Sequence, residues 1–282
     1  MNRNKVLQAK NVSPFIIPGL AINLFVILVP SILTLVLSFF EWDGLGPIHF
    51  VGIKNFIILL SERSFWQAII HNIIWTLIFI TIPVGLGLLG AELLRRTKWN
   101  FLESFYFLPV TLPAVIVAII WRYIYDPMRG IGKIIGIALL GHPSTALYAI
   151  ALANIWAWWG FLCAVFFSAI QGVPVELYES ATLDGANKWQ EFRYITLPQI
   201  APSIVLMEIM TIIWSFQVFD WVWATTQGGP AGASELLATL LYKEAFYSYR
   251  IGTASAIGVV ISLFGLLAIT LLYYLRRRGM EV

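Results

Sequence analysis

Charge and cysteine are both scarce in this sequence. Only 12% of its 282 residues are charged, whereas 59% are hydrophobic. Soluble domains carry about 25% charged residues, so this composition, with its long apolar runs, indicates that the lipid bilayer is the solvent. The single cysteine, Cys163, excludes a disulfide framework and a thiolate metal site, and its apolar neighbours in the sequence suit a packing role.

Motifs for catalysis, metal binding and nucleotide binding are missing as well. The three histidines, His49, His71 and His142, are scattered, and no two have the spacing of metal ligands. The string closest to a phosphate-binding loop, Gly130-Ile131-Gly132-Lys133, lacks the first glycine of the G-x-x-x-x-G-K-[ST] pattern. The sequence therefore predicts that the chain is not an enzyme, binds no metal and binds no cofactor of its own.

Six apolar stretches are long enough to cross a membrane as helices, which takes about 20 residues each. They predict an all-α polytopic membrane protein in which residues 1–282 form one transmembrane domain. Pro18, Pro30, Pro83 and Pro113 lie inside these stretches, and each should kink its helix or lie near its end. The predicted spans are Pro14–Phe40, His71–Leu94, Ser104–Tyr125, Leu147–Ile170, Ile200–Val222 and Gly252–Leu275.

Basic residues are distributed unevenly among the segments that join these spans. Eleven Lys and Arg residues lie in the two termini and in the second and fourth loops, against six in the other three loops. Cytoplasmic segments of membrane proteins are enriched in Lys and Arg. The asymmetry predicts that both termini, and the loop between the fourth and fifth spans, are cytoplasmic.

That fourth loop, residues 174–198, is unusually polar for this chain. Pro174 suits the first turn of a helix, and Val175–Leu183 contains no helix breaker. Asp184 and Gly185 then predict a helix end, because glycine readily adopts the left-handed backbone conformation found there.

A second short helix is predicted to follow this turn. It extends over about Ala186–Ile195 and is expected to end at Leu197-Pro198. The physical pattern allows two interpretations of this helix-turn-helix. Either it is a docking site for a partner, or it is an interfacial amphipathic hairpin that only caps the helix bundle.

The loop resembles the EAA loop of the membrane subunits of ABC importers, the binding-protein-dependent permeases. The family pattern is Glu-Ala-Ala, three residues, Gly, nine residues and Ile-x-Leu-Pro. This sequence has Glu179-Ser180-Ala181, then Gly185, then Ile195-Thr196-Leu197-Pro198. Ser180 replaces the commoner alanine with another small residue. The surrounding letters, VPVELYESATLDGANKWQEFRYITLPQIAP, are typical of carbohydrate importers of the maltose and glycerol-phosphate type.

The resemblance extends over nearly the whole chain. The strings SFFEWDG and FVGIKNF resemble the first outside segment of the family, and FYFLPVTLPAVIVAIIWRYIYDPMRG resembles its third span. The string TQGGPAGASELLATLLYKEAFYSYRIGTASAIG resembles its last outside loop and sixth span. The chain is most similar to the maltose-F-like member of the two permease partners, which implies the type I permease fold.

In that family the EAA loop docks in a groove of a cytoplasmic ATPase and couples ATP use to transport. The resemblance implies alternating access, in which closure of an ATPase dimer moves the loop and reorients the spans. It also implies a cell-membrane complex with a second homologous permease, an extracytoplasmic solute-binding protein, and ATP and Mg bound by the ATPase. The coupling residues would be Glu179, Ser180, Ala181, Asp184, Gly185 and Ala186.

Polar side chains inside two spans form a candidate substrate path. Amides and hydroxyls can bond to sugar hydroxyls, and an indole face can stack on a sugar ring. Tryptophan also anchors helices at membrane interfaces, and Glu208 could instead bond to a neighbouring helix, so both interpretations stand for these side chains. The candidates are Asn154 and Trp158 in the fourth span and Glu208, Thr211, Trp214 and Ser215 in the fifth.

The sequence thus predicts a permease subunit of an ATP-driven carbohydrate importer. A phosphorylated substrate would require a cation in its path, and Arg122 is the only candidate, so a neutral sugar or oligosaccharide is preferred over glycerol phosphate. The alternative is an ion-coupled secondary transporter. That class predicts internal repeats and ionisable relays, and it leaves the Glu179–Pro198 segment unexplained.

Overall fold

The computed structural model describes residues 16–97 and 101–277. The first residues of the predicted first span, including Pro14, lie outside the described residues. Five basic residues used to predict the orientation also lie outside them: Arg3, Lys5, Lys10, Lys98 and Arg278.

The described chain is built almost entirely of helices. The one sheet found in it is a two-residue antiparallel pairing of β1 (Phe40–Glu41) with β2 (His49–Phe50). The helices are α1 (Ile16–Leu37), α2 (Lys54–Ser61), α3 (Arg63–Arg96), α4 (Phe101–Phe107), α5 (Ala114–Ile124), α6 (Ile131–Ile135), α7 (Ala146–Gln171), α8 (Val175–Leu183), α9 (Lys188–Gln217), α10 (Asp220–Thr225), α11 (Leu237–Phe246) and α12 (Ile251–Arg277).

Five of these helices are long and apolar enough to cross a membrane, namely α1, α3, α7, α9 and α12. A sixth candidate span is bent by 105° between Phe105–Thr111 and Ala114–Ile124. The bend lies at Leu112-Pro113, and Leu112 has an extended backbone. Proline restricts the preceding residue to this region. The third stretch is thus a broken span, as the position of Pro113 suggests.

Helix α9 differs from the sequence prediction at both of its ends. Leu197-Pro198 does not end the short second helix, because a π-helical turn at Phe192–Thr196 joins Lys188–Glu191 directly to Leu197–Gln217. Pro198 therefore lies inside a continuous helix, immediately after the π-helical turn. The fifth predicted span, expected to reach Val222, breaks after Gln217.

The chain divides into two compact units. One unit comprises the chain up to Ser61 together with Leu241–Val260. In it, the buried Asn55 amide donates to the carbonyl oxygens of Ser38 (2.9 Å) and Phe40 (2.8 Å), and so fixes the end of α1 to β1.

The other unit comprises Glu62–Leu240 together with the chain from Ile261, and its core is the contact of α3 with α7. A Cβ built on Gly87 would lie 2.8 Å from the Leu162 Cβ, and one on Gly90 would lie 2.8 Å from the Cys163 Sγ. Small residues allow membrane helices to approach this closely. Cys163 is buried there as a packing residue.

We expect Gly87→Val to separate α3 from α7, because the added methyl groups meet the α7 backbone at Cys163. Overpacking of this kind costs about 1–3 kcal/mol. Gly85→Val is the matched control, since a Cβ on Gly85 meets nothing within 4 Å. Thermal unfolding of the detergent-purified chain should occur several degrees lower for Gly87→Val alone. Equal melting temperatures would contradict the close contact.

Candidate functional site

A cavity of about 280 Å³ lies among α3, α7 and α9 in the second unit. Five of the six residues predicted to form a substrate path line it. They are Asn154 and Trp158 from α7, and Thr211, Trp214 and Ser215 from α9. The i, i+4 spacing on α7 and the i, i+3, i+4 spacing on α9 bring these side chains to one region.

Three polar atoms on this cavity are buried without a hydrogen-bond partner: Trp75 Nε1, Trp158 Nε1 and Thr211 Oγ1. Leaving a buried donor or acceptor unpaired costs about 1–3 kcal/mol. Most buried polar groups are therefore paired, and an exception calls for a bound group or a functional reason. All three atoms belong to residues that line the same space, so this space suits a polar ligand.

Aromatic rings form much of the cavity wall. The rings of Trp158 and Trp214 meet edge to face, with centroids 4.7 Å apart and an interplanar angle of 89°. Trp75 is stacked on Phe79 with centroids 4.9 Å apart. Trp75 was missed by the sequence prediction, because a buried tryptophan on another span carries no local signal that separates a lining role from packing.

The break between α9 and α10 forms another part of the lining. Val218 is extended, and α10 begins again at Asp220, whose carboxylate in the first turn suits the positive end of the helix. Gln217 and Asp220 are exposed and line the cavity. Sequence reasoning treated this segment as continuous helix and missed both residues.

Asn72 on α3 fixes the position of the lining. Its side chain is fully buried, donates to the Ser215 carbonyl (2.8 Å) and accepts from the Leu237 N–H (2.8 Å). One amide thus joins α3, α9 and the first residue of α11. The Ser215 hydroxyl donates to the Thr211 carbonyl (2.7 Å), and the lone pairs of the Ser215 oxygen remain able to accept a hydrogen bond.

Glu208 is the one predicted path residue that does not line the cavity. It is half-buried on α9, one turn before Thr211. Its role in a substrate path stays a prediction.

The loop between α7 and α9 has the predicted turn. Gly185 has φ +81°, and the N–H groups of Ala186 and Gly185 donate to the carbonyls of Ala181 (2.9 Å) and Thr182 (3.1 Å). This paired pattern is a Schellman motif, which ends a helix at a left-handed glycine. Asn187 then forms a capping box with Gln190, so the next helix begins at Lys188, two residues later than predicted.

The predicted coupling residues form one surface of this loop. Glu179, Ser180, Asp184 and Gly185 are exposed, while Ala181 and Ala186 are half-buried in a shallow groove. Leu183 beside them is 89% exposed.

A network of ion pairs lies under this surface. Glu92, at the end of α3, accepts hydrogen bonds from Arg95 (2.7 and 2.9 Å) and from Arg96. Glu191 on α9 accepts from Lys188 (2.6 Å) and from Arg95 (3.4 Å). Both carboxylates are buried, so the cations are needed to compensate their negative charge.

Broken spans, a polar cavity between helices and a structured loop at a helix end together describe a membrane transport protein. Residues 83–280 match the family model of the binding-protein-dependent transport system inner membrane component. The chain belongs to this family and is a permease of the ABC importer type.

Individual relatives agree with this assignment. The probable ABC transporter permease protein YurN of Bacillus subtilis is 35% identical over 93% of this chain and 92% of its own length. The trehalose/maltose transport system permease protein MalF of Thermococcus litoralis is 30% identical over 90% of each chain.

A solved structure shares the fold. A chain of a bacterial alginate ABC transporter, solved in complex with an alginate pentasaccharide-bound periplasmic protein, matches with a TM-score of 0.85 at 21% identity. The match covers 99% of this chain and 98% of that chain. The fold is therefore the all-α type I permease fold.

We expect Asn72→Ala to lower the stability of the second unit by about 1–3 kcal/mol, because the Ser215 carbonyl and the Leu237 N–H both lose a buried partner. Thr76→Val, one turn along α3, is the control. Its hydroxyl bonds only to the Asn72 carbonyl of the same helix. Thermal unfolding without substrate measures both variants, and an Asn72→Ala melting temperature equal to that of Thr76→Val would contradict this role.

Proposed function

We propose that this chain is one of two permease subunits of an ATP-driven importer of a neutral sugar or oligosaccharide. A second homologous permease completes the pathway, an extracytoplasmic solute-binding protein delivers the sugar, and a cytoplasmic ATPase dimer binds ATP and Mg. The chain itself carries no catalytic step and binds no cofactor. Both termini, and the loop over 174–198, lie in the cytoplasm.

The cavity on α7 and α9 carries the proposal. Two indole N–H groups and one hydroxyl are buried there without partners, beside the Asn154 amide and the Ser215 hydroxyl. Sugars have alternating hydroxyl groups and apolar C–H faces, which match unpaired polar atoms set among aromatic rings. At about 280 Å³ the cavity falls just below the usual range for small-molecule sites, roughly 300–1,000 Å³, as a half-site completed by a second subunit would.

The charge of the lining favours a neutral substrate. Among the described residues that line the cavity, the only ionisable side chain is Asp220, and none is Lys or Arg. A carboxylate repels phosphate and uronate groups, and nothing in this lining compensates for their charge. Arg122, the candidate cation, is not part of the lining. The names of relatives fit a carbohydrate, since the Thermococcus protein is named for trehalose and maltose.

The loop between α7 and α9 supports the coupling step. Its first helix and the turn after it present Glu179, Ser180, Asp184 and Gly185 to the surface, and the turn is held by two backbone hydrogen bonds. An exposed helix-turn-helix whose turn is held in this way can move as one body when a bound partner moves. When the ATPase dimer closes on ATP, the loop moves with it and the spans reorient around the cavity by rigid-body motion.

An ion-coupled secondary transporter is not favoured. Membership of the binding-protein-dependent family assigns the energy source to a separate ATPase. Glu208, the carboxylate within the predicted fifth span, lies outside the cavity lining, so it does not join the cavity in a relay.

We expect Thr211→Val to weaken sugar binding to the detergent-purified complex by about threefold to tenfold. The variant keeps the shape of the side chain and removes one unpaired hydroxyl, and a net hydrogen bond contributes about 0.5–1.5 kcal/mol. Quenching of tryptophan fluorescence measures the affinity, since Trp158 and Trp214 line the cavity.

Thr225→Val is the control for this measurement. Thr225 is also buried, but its hydroxyl already donates to the Trp221 carbonyl (2.6 Å). Its affinity should stay at the wild-type value. Unchanged affinity in Thr211→Val would argue against the cavity as the sugar site.

We expect Gly185→Asp to release the ATPase from the purified complex and to abolish sugar-stimulated ATP hydrolysis. The substitution adds bulk, a charge and left-handed strain at the exposed turn. Gly136→Asp is a matched control on an outside loop, because Gly136 also ends a helix, has φ +70° and has nothing within 4 Å of a built Cβ.

The two variants separate docking from folding. If both variants retain the ATPase and its stimulation by sugar to the same extent, any loss is a general result of backbone strain or added charge. The 174–198 loop would then only cap the helix bundle. If Gly185→Asp alone loses the ATPase, the loop is the coupling element.

A further inference from the structure

One side chain, Arg95, joins three helices at the end of α3. Its Nε and Nη2 atoms donate to the two carboxylate oxygens of Glu92 on its own helix, at 2.9 and 2.7 Å. Its Nη2 atom also lies 3.4 Å from Glu191 Oε2 on α9. Its guanidinium carbon lies 4.2 Å from the centre of the Tyr178 ring on α8.

Burial limits the screening of these contacts by water. The side chain of Glu191 is 2% exposed and that of Arg95 is 20% exposed. Exposed ion pairs are screened and contribute little, whereas a buried carboxylate that loses one of its cations is less well compensated. Lys188 is the second cation on Glu191, but it belongs to α9 itself and makes no bridge to α3.

Tyr178 is anchored on both sides. Its ring faces Arg95, and its hydroxyl pairs with the Thr196 hydroxyl at 3.0 Å. Thr196 is fully buried in the π-helical turn of α9. A cation over an aromatic face is held by the ring's negative face, so α8 is tied to α3 in a fixed orientation.

The other end of the same helix reaches the cavity. Trp75 lies twenty positions before Arg95 on α3, which corresponds to about 30 Å at 1.5 Å per residue. Trp75 lines the cavity, and Asn72 beside it holds the Ser215 carbonyl. Between these ends, Gly87 and Gly90 pack α3 tightly against α7.

We propose that Arg95 is a positioning residue for coupling, which locks helix α8 to α3 so that movement of α8 reaches the cavity through α3 as well as through the continuous chain of α9. The inference rests on the proposed function, because it requires that an ATPase moves α8. Arg95 does not line the cavity. It sets how much of the movement of α8 arrives at Trp75 and Asn72.

The test is the number of ATP molecules hydrolysed per sugar imported by the full complex in proteoliposomes, with its binding protein. Arg95→Gln keeps a polar side chain, although a shorter one, and removes the charge. We expect it to retain the ATPase on purification, to lose at least fivefold in sugar import, and to consume correspondingly more ATP per sugar. Arg193→Gln is the control, because Arg193 is exposed on α9 and lies only over its neighbour Tyr194.

A pair of variants at Tyr178 guards against a variant that does not fold. Tyr178→Leu removes the aromatic face that Arg95 lies over, whereas Tyr178→Phe keeps the ring and removes only the hydroxyl. We expect Tyr178→Leu to raise the number of ATP molecules consumed per sugar as Arg95→Gln does, and Tyr178→Phe to stay within about twofold of wild type. A Tyr178→Leu complex that assembles and keeps the wild-type ratio overturns the proposal.

Three results distinguish this inference from the proposed function. If Arg95→Gln matches Arg193→Gln while Gly185→Asp releases the ATPase, the bridge fails and the coupling loop stands. If Arg95→Gln itself releases the ATPase, Arg95 shapes the docking surface and transmits nothing, which also overturns the inference. If Gly185→Asp keeps full coupling, the proposed function fails and the inference fails with it.

Discussion

Backbone N–H and C=O groups within the hydrocarbon have no water to bond to, and each unsatisfied group costs several kcal/mol. The described chain meets this constraint by placing nearly all of its apolar length in helices. It departs from helix within the predicted spans at Leu112-Pro113 and at Val218–Phe219. Non-helical backbone at membrane depth is tolerated where it lines a cavity, and Val218 and Phe219 line one. The same constraint therefore explains why the helix breaks between α9 and α10 at the candidate site.

Polar side chains in the spans follow the constraint with informative exceptions. The hydroxyls of Thr76, Thr81 and Ser215 bond to carbonyls of the preceding turn, so they need nothing from outside their own helices. Asn72 uses both ends of its amide between helices. Trp75 and Thr211 are buried without partners, and both face one space. The cavity is thus marked by where the protein leaves polar groups unpaired, and a ligand with many hydroxyl groups supplies what is missing.

The sequence predicts the long helices and the turn of the 174–198 loop well because both depend on local chemistry. Apolar length fixes the spans, and the left-handed Gly185 follows from Asp-Gly after a run without breakers. The spacing of Thr211, Trp214 and Ser215 correctly places them on one side of α9. The features that the sequence did not predict depend on contacts between distant parts of the chain or on an irregular helix turn. Trp75 joins the lining through tertiary packing, and the π-helical turn before Leu197-Pro198 lets the helix continue through a proline that ordinarily ends one.

The ion pairs under the 174–198 loop illustrate why a membrane protein keeps buried charges where apolar packing would serve stability equally well. Replacing a buried ion pair with apolar residues is often neutral or stabilising, so the pairs of Glu92 and Glu191 are weak support for a stabilising role. Apolar contacts, however, are non-directional, so two helices held by them alone can slide past each other at little cost in free energy. The hydrogen bonds to Glu92 orient the guanidinium group of Arg95. In this orientation the group contacts the Tyr178 ring on α8 and the Glu191 carboxylate on α9. Directional contacts to buried partners resist such sliding, and the proposed transmission of movement from α8 to α3 requires that resistance.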